Sequence, residues 1–278
     1  MPFILSPLLW SSLSKPFSRK AQDRVRAHGD GMLISEDSPE AFEEVLWKRV
    51  FPGHYCEDHI ELWDSRDSVS EGREHLLNFI QKLILLRGGT SILRYLSKNN
   101  GNIARLALFR SIFPNACILV PFRHPLEHSI SMRIQHKNFE HKHGEDDFGK
   151  AYMNDIGHYE FSQLHRPLAF PGVREFMKRL SPSSIDYWLS YWISCFRQLS
   201  QEKDIIMVSY EKLSRSGEDG LRRICHTLGL TEDRATVSSV AQLIRHSPDS
   251  RKEKHSFSQH LTKEALDIYS HCENRCIL

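Results

Sequence analysis

Ala116-Cys117-Ile118-Leu119-Val120-Pro121-Phe122-Arg123-His124-Pro125-Leu126-Glu127-His128-Ser129-Ile130-Ser131 runs from an apolar stretch through an arginine and a proline straight into a helical pattern. A buried strand therefore delivers a cationic loop to a helix N-terminus. Arginine presents a planar fork suited to phosphate oxygens, and the helix end adds unpaired N–H groups and the positive end of its dipole. Ser131 lies about two turns into that helix, within reach of the same anion if the strand end folds back over it. Spacing alone is equally compatible with a strand-to-helix turn whose arginine pairs with a nearby carboxylate.

Upstream, Ser91 to Leu96 has the composition of a strand and Ser97 to Asn102 that of a polar loop, and Ile103, Leu106, Ala107 and Ile112 mark a helix. Followed by the quoted strand, these make a βαβ unit whose parallel pairing brings both loops to one sheet edge. Earlier still, Met32-Leu33-Ile34 is a candidate edge strand. Ser38-Pro39-Glu40 opens a helix carrying Val45, Leu46 and Val50. Arg73 to Leu86 is amphipathic and stops at Gly88-Gly89.

Downstream, residues 136–172 are rich in His, Glu and Asp with little periodicity, which predicts an irregular excursion, a substrate-facing flap. Pro182-Ser183-Ser184 introduces a helix from Ile185 to Leu199 apolar enough to be buried. Asp204 to Tyr210 reads as another strand, and Leu221, Ile224, Cys225 and Leu228 lie on one face of a helix ending at Gly229. Residues 245–260 are basic and irregular, and Lys263 to His271 forms a last helix. The expectation is one α/β domain over residues 1–278, a parallel sheet flanked by helices.

Lys+Arg 37 against Asp+Glu 35 leaves a net charge of +2, so no global field for nucleic acid or membrane exists. No apolar run approaches the ~20 residues of a membrane span. The 6 cysteines are scattered, which fits a reducing, cytoplasmic setting, and Cys117 reads as a small core residue within its apolar run. Cys272 and Cys276 could share a helix face, but two thiolates without nearby partners make a poor metal site, and no metal is expected.

Arg123-His124-Pro125 with Ser131 resembles the 3′-phosphate-binding motif of the sulfotransferase family that uses 3′-phosphoadenosine 5′-phosphosulfate. The family's strand ends in Arg-Asp-Pro, and a serine further along contacts the same phosphate. Leu96-Ser97-Lys98-Asn99-Asn100 is similar to the strand-end lysine segment of that family. Asp204 to Leu213 and Leu228-Gly229-Leu230 look like its Tyr-Glu-Asp-Leu strand end and Leu-Gly helix stop. The resemblance covers roughly residues 90–230 and implies a P-loop NTPase-like sulfotransferase fold. It also implies that Arg123 and Ser131 hold the 3′-phosphate and that Lys98 faces the sulfuryl group. Arg251 and Lys252, with Lys254, are placed in the late basic loop that closes over the 3′-phosphate in the family. His124 departs from the usual aspartate.

Two parts of the chemistry are not visible. The family cradles the 5′-phosphosulfate with an N-terminal strand and a loop such as Arg-Ser-Gly-Thr, and no such stretch occurs here. The fold is therefore expected to lack its first strand, through a start at an internal methionine of a longer reading frame or in a natural non-catalytic form. Gly144 to Ala151 approaches the P-loop consensus, but its three carboxylates would repel phosphate and Ala151 replaces the magnesium-binding hydroxyl. Asn100 stands where many family members carry a histidine base. Glu43, Glu44 or one of the 16 histidines is the candidate base, with Glu43 preferred. The implied activity is transfer of a sulfuryl group to a hydroxyl or amine acceptor. The alternative is a non-catalytic module that binds the nucleotide or a partner.

Overall fold

The computed structural model describes residues 24–25, 33–34, 43–64, 67, 69–87, 94–244 and 255–278. The chain divides into two compact units, one of residues 1–114 and 135–169 and the other of residues 115–134 and 170–278. The architecture is helix-rich α/β, with a small parallel sheet flanked by helices.

In the first unit, β1 (Arg24–Val25) pairs antiparallel with β2 (Leu33–Ile34). Helix α1 (Glu43–Val50) packs on α2 (Val69–Arg87), and α2 on α3 (Leu106–Ile112). Trp47, Phe51, Trp63, Leu76, Phe79 and Leu108 are buried around them. The rings of Trp47, Phe51 and Trp63 meet stacked or edge-on at centroid separations of 6.0 to 6.3 Å. The proposed start of α1 at Ser38 and the stop at Gly88-Gly89 lie outside the described residues.

Unit two is built on β3 (Leu119–Phe122) and β4 (Ile206–Ser209), which pair in parallel from Leu119 with Ile206 to Phe122 with Ser209. Helix α4 (Pro125–Glu145) follows β3; its residues 125–134 belong to this unit and 135–145 to the first, as does α5 (Asp147–Ile156), which follows it in the chain. Helix α6 (Val173–Met177) packs against α7 (Ile185–Leu199). As expected from its apolar composition, α7 is the core helix, with Trp188, Leu189, Trp192, Ile193, Phe196 and Leu199 buried. Helices α8 (Tyr210–Ser216), α9 (Glu218–Thr227) and α10 (Arg234–Ala241) follow β4. The last helix, α11 (Gln259–Arg275), is longer at both ends than its apolar pattern indicated and packs along α7.

Several expectations require correction. Among the described residues β3 pairs in parallel with β4, and the part of the expected Ser91 to Leu96 strand that is described, residues 94–96, forms no strand; Leu96 is 91% exposed, so it brings no apolar face to a sheet. Residues 91–93 lie outside the described set. The strand is also shorter than its apolar run. Cys117 is exposed rather than in the core, and β3 alternates exposed Leu119 and Pro121 with buried Val120 and Phe122. The irregular excursion is largely helical, because α4 continues to Glu145 and α5 occupies Asp147 to Ile156. Helix α4 is polar on most faces, and i,i+4 contacts such as His136 with Glu140 (3.4 Å) and His141 with Glu145 (3.6 Å) run along it without an apolar stripe. Helix α5 ends at Gly157, whose φ of 79° and close approach to α1, with a Cβ falling 2.7 Å from Glu44 Cγ, leave room for no other side chain.

Candidate functional site

Parallel pairing sends the C-terminal ends of β3 and β4 to the same edge, where such sheets receive ligands. Phe122 and Ser209 are paired, so the residues that follow them, Arg123 and Tyr210, emerge side by side. The Arg123 guanidinium lies over the Tyr210 ring, 5.4 Å from its centroid. Pro125 then opens α4, a position that suits its fixed φ and missing N–H. Arg123, Glu127 and Ser131 fall on one face of the chain entering α4. Glu127 is the nearby carboxylate that spacing allowed for: its Oε2 lies 3.9 Å from Arg123 Nη2, with both side chains about one-fifth exposed (21% and 18%).

The loop is held by Glu211, the second residue of α8. Its Oε1 accepts the His124 backbone N–H at 2.8 Å, while its Oε2 accepts from Ser209 Oγ at 3.5 Å and from the Tyr269 hydroxyl at 3.4 Å. The His124 ring meets Tyr269 edge-on, with centroids 5.1 Å apart. Histidine in place of the family aspartate is thus accommodated by an aromatic contact with α11, and Glu211 supplies a carboxylate anchor. Burial and then the charge of Arg123 push His128 down to about 4, so this ring is neutral beside a positive centre at neutral pH. Tyr269 carried no signal in the sequence, because its partners come from β3 and α8.

In the first unit, Glu43 and the Lys98-bearing segment come together. Glu43 is 4% exposed and accepts from the Tyr95 hydroxyl at 2.5 Å and from Ser97 Oγ at 2.8 Å, which places Ser97 between it and exposed Lys98. Burial, then the carboxylate of Glu43, raise Tyr95 well above an ordinary phenol. Glu44 is instead held in a buried ion pair. Arg105 Nη2 donates to both of its oxygens, at 2.9 and 2.7 Å, and the Tyr55 hydroxyl (2.5 Å) and Asn99 Nδ2 (2.7 Å) complete its shell. Arg105 is fully buried (0% exposed) between Trp47 and Trp63, with its guanidinium 4.8 and 4.5 Å from their ring centroids. Helical periodicity gave no hint of this arrangement.

Asn100 is exposed and donates to Glu160 at 3.2 Å. The P-loop near-match holds no phosphate cradle: Asp146 caps α5 and its Oδ1 takes the Gly149 N–H at 2.8 Å. Arg251 and Lys252 lie outside the described residues. Among the described residues, no helix is long and apolar enough to cross a membrane.

Comparison with known proteins gives one positive finding. A family model described as the sulfotransferase family matches residues 44–234, a span that includes Lys98, Arg123 and Ser131. No curated protein and no solved structure matches the chain. Over well more than half its length the sequence fits that model, and the chain belongs to the sulfotransferase family.

Proposed function

We propose that the protein transfers a sulfuryl group from 3′-phosphoadenosine 5′-phosphosulfate to a hydroxyl or amine acceptor in the cytosol. The observation that carries this reading is Arg123 at the C-terminal edge of the parallel β3–β4 pair, directly before the N-terminus of α4 and on the same face as Ser131. In this reading the 3′-phosphate takes that position. Arg123 would turn from Glu127, which is beyond hydrogen-bond distance at 3.9 Å, to the stronger charge-assisted pairing. Neutral His128 adds no competing charge, and Tyr210 supports the guanidinium plane.

The donor supplies an activated sulfuryl group, whose bond to phosphate oxygen breaks as the acceptor oxygen or nitrogen bonds to sulfur. In this reading the ammonium of Lys98 offsets charge on the departing phosphate. Glu43 takes the acceptor's proton, which requires Tyr95 or Ser97 to give up its hydrogen bond to that carboxylate. Arg251 and Lys252 are proposed as further ligands of the cofactor. A second reading, a nucleotide-binding module without turnover, is favoured by Asn100, whose amide cannot act as a base at neutral pH and is paired with Glu160.

Incubation with the ³⁵S-labelled donor and a mixed panel of alcohol, phenol and amine acceptors distinguishes the two. Label transfer that is lost in Lys98→Ala supports the enzyme. Binding of adenosine 3′,5′-bisphosphate without transfer to any acceptor supports the module, and absence of both overturns the nucleotide assignment.

A further inference from the structure

Residues 54–61 form a tight reversal in the first unit. Tyr55 pairs antiparallel with Ile60, and the Glu61 N–H donates to His54 O at 2.8 Å. The returning arm is pinned from its other side, since the Ile60 N–H donates to Pro167 O (2.9 Å) and Ile60 O accepts from Ala169 N–H (2.8 Å). This backbone holds Cys56, His59 and Glu61 together, with Cys56 Sγ, a ring nitrogen of His59 and a carboxylate oxygen of Glu61 all within 4.8 Å of one another.

The imidazole at the centre faces carboxylate oxygens through both nitrogens. His59 Nδ1 is 2.6 Å from Asp58 Oδ1, and Nε2 is 3.1 Å from Glu61 Oε1. Asp58 and Glu61 thus hold the ring from its two sides, and Cys56 brings a thiol within 4.8 Å of the ring nitrogen and the Glu61 carboxylate oxygen. Asp58 is then the carboxylate that fixes the tautomer and orientation of a metal-binding histidine.

We propose that Cys56, His59 and Glu61 bind a zinc ion, with Asp58 positioning His59. The donor set of one sulfur, one nitrogen and one oxygen suits zinc, a borderline-soft ion. Tetrahedral zinc with ordinary bond lengths puts its nitrogen and oxygen ligands about 3.4 Å apart, close to the separation of Nε2 and Oε1. Three protein ligands leave the fourth position to water, and the side chain of Glu61, 38% exposed, opens the site to solvent while that of His59 is 12% exposed. Binding releases the Cys56 proton as the thiol becomes a thiolate. This site departs from the metal-free expectation drawn from the sequence, which weighed only Cys272 and Cys276. It is independent of the nucleotide reading, because it rests on residues with no role there.

The test uses the full chain, purified, loaded with Zn²⁺ and dialysed against metal-free buffer, with metal content read by atomic emission. One zinc per chain is expected. Titration with Co²⁺ should give visible d–d bands together with a thiolate-to-cobalt charge-transfer band. Cys56→Ser should abolish the charge-transfer band, and His59→Ala and Glu61→Gln should weaken Zn²⁺ at least tenfold in competition with a chromophoric chelator. Asp58→Asn should weaken it by about 10- to 100-fold, and Cys276→Ser should change nothing. Far-UV circular dichroism establishes that each variant is folded, and Glu61→Gln preserves side-chain volume should Cys56→Ser fail. No retained zinc in the wild type, a charge-transfer band that survives in Cys56→Ser, or wild-type affinity in Glu61→Gln would overturn the assignment.

Discussion

Replacement of Arg105 by methionine should be among the most destabilising single changes in the first unit. The arginine is fully buried (0% exposed), and its partner Glu44 has a side chain only 10% exposed, so neither charge can retreat to water once the other is gone. Removing one member of such a pair costs about 3–5 kcal/mol. Two features pull in opposite directions within that range. Glu44 keeps the Tyr55 hydroxyl at 2.5 Å and Asn99 at 2.7 Å, which lowers the cost of its unpaired buried charge. Trp47 and Trp63 each lose a guanidinium at 4.8 and 4.5 Å, a further ~0.5–2 kcal/mol. Methionine fills most of the space, so the cavity contribution is small.

The expected loss is therefore about 3–5 kcal/mol, which at ordinary urea slopes moves the unfolding midpoint by about 1–2 M. Tryptophan fluorescence is the natural readout because two indoles flank the site. Glu44→Gln and the double variant complete a cycle, and the double loss should be well short of the sum of the singles. An unchanged midpoint in Arg105→Met, or strict additivity in the cycle, would refute the assignment of this pair as the buried anchor of the unit.

Other outcomes follow from the same geometry. His128 is held down at about 4 by burial and Arg123, and His165 at about 3 by burial and His136. Above pH 6.5 both rings are neutral folded or unfolded; below it the unfolded chain takes up protons that the folded chain refuses. Stability should thus be flat above neutral pH and fall by up to about 1.4 kcal/mol per pH unit for each ring between pH 6.5 and 4, as measured by urea unfolding across pH. A curve that rises on acidification would contradict both environments. Glu211→Ala should cost about 1.5–3 kcal/mol by releasing the His124 N–H, with Glu211→Gln milder; equal midpoints for the two variants and wild type would show that the anchor is idle.

Much of the second unit was legible because its signals are local. The Pro182 to Ser184 introduction and apolar run gave α7, and the β-branched and apolar residues after Asp204 gave β4. Pairing was harder to read. Nothing in the run from Ser91 to Leu96 reveals that β3 takes its partner from β4, because that choice depends on which strand carries a buried face. The segment around His136 to Glu145 misled for a different reason: a helix whose buried side chains here are Phe139 and two histidines, His136 and His143, has no apolar period. Arg123 and Ser131 could be marked as candidates from their motif, whereas Glu211 and Tyr269, which hold the loop in place, become visible only when β4, α8 and α11 are brought to β3.

The most direct measurement is calorimetric titration of the wild-type chain and Arg123→Ala with adenosine 3′,5′-bisphosphate and with adenosine 5′-phosphate, ligands that differ only in the 3′-phosphate. A charge-assisted pairing at Arg123 predicts that the bisphosphate binds wild type about 10- to 100-fold more tightly than the monophosphate, and that Arg123→Ala removes this preference. Equal affinity of wild type for the two ligands, or a preference that survives in Arg123→Ala, would contradict the placement of the 3′-phosphate at the end of β3.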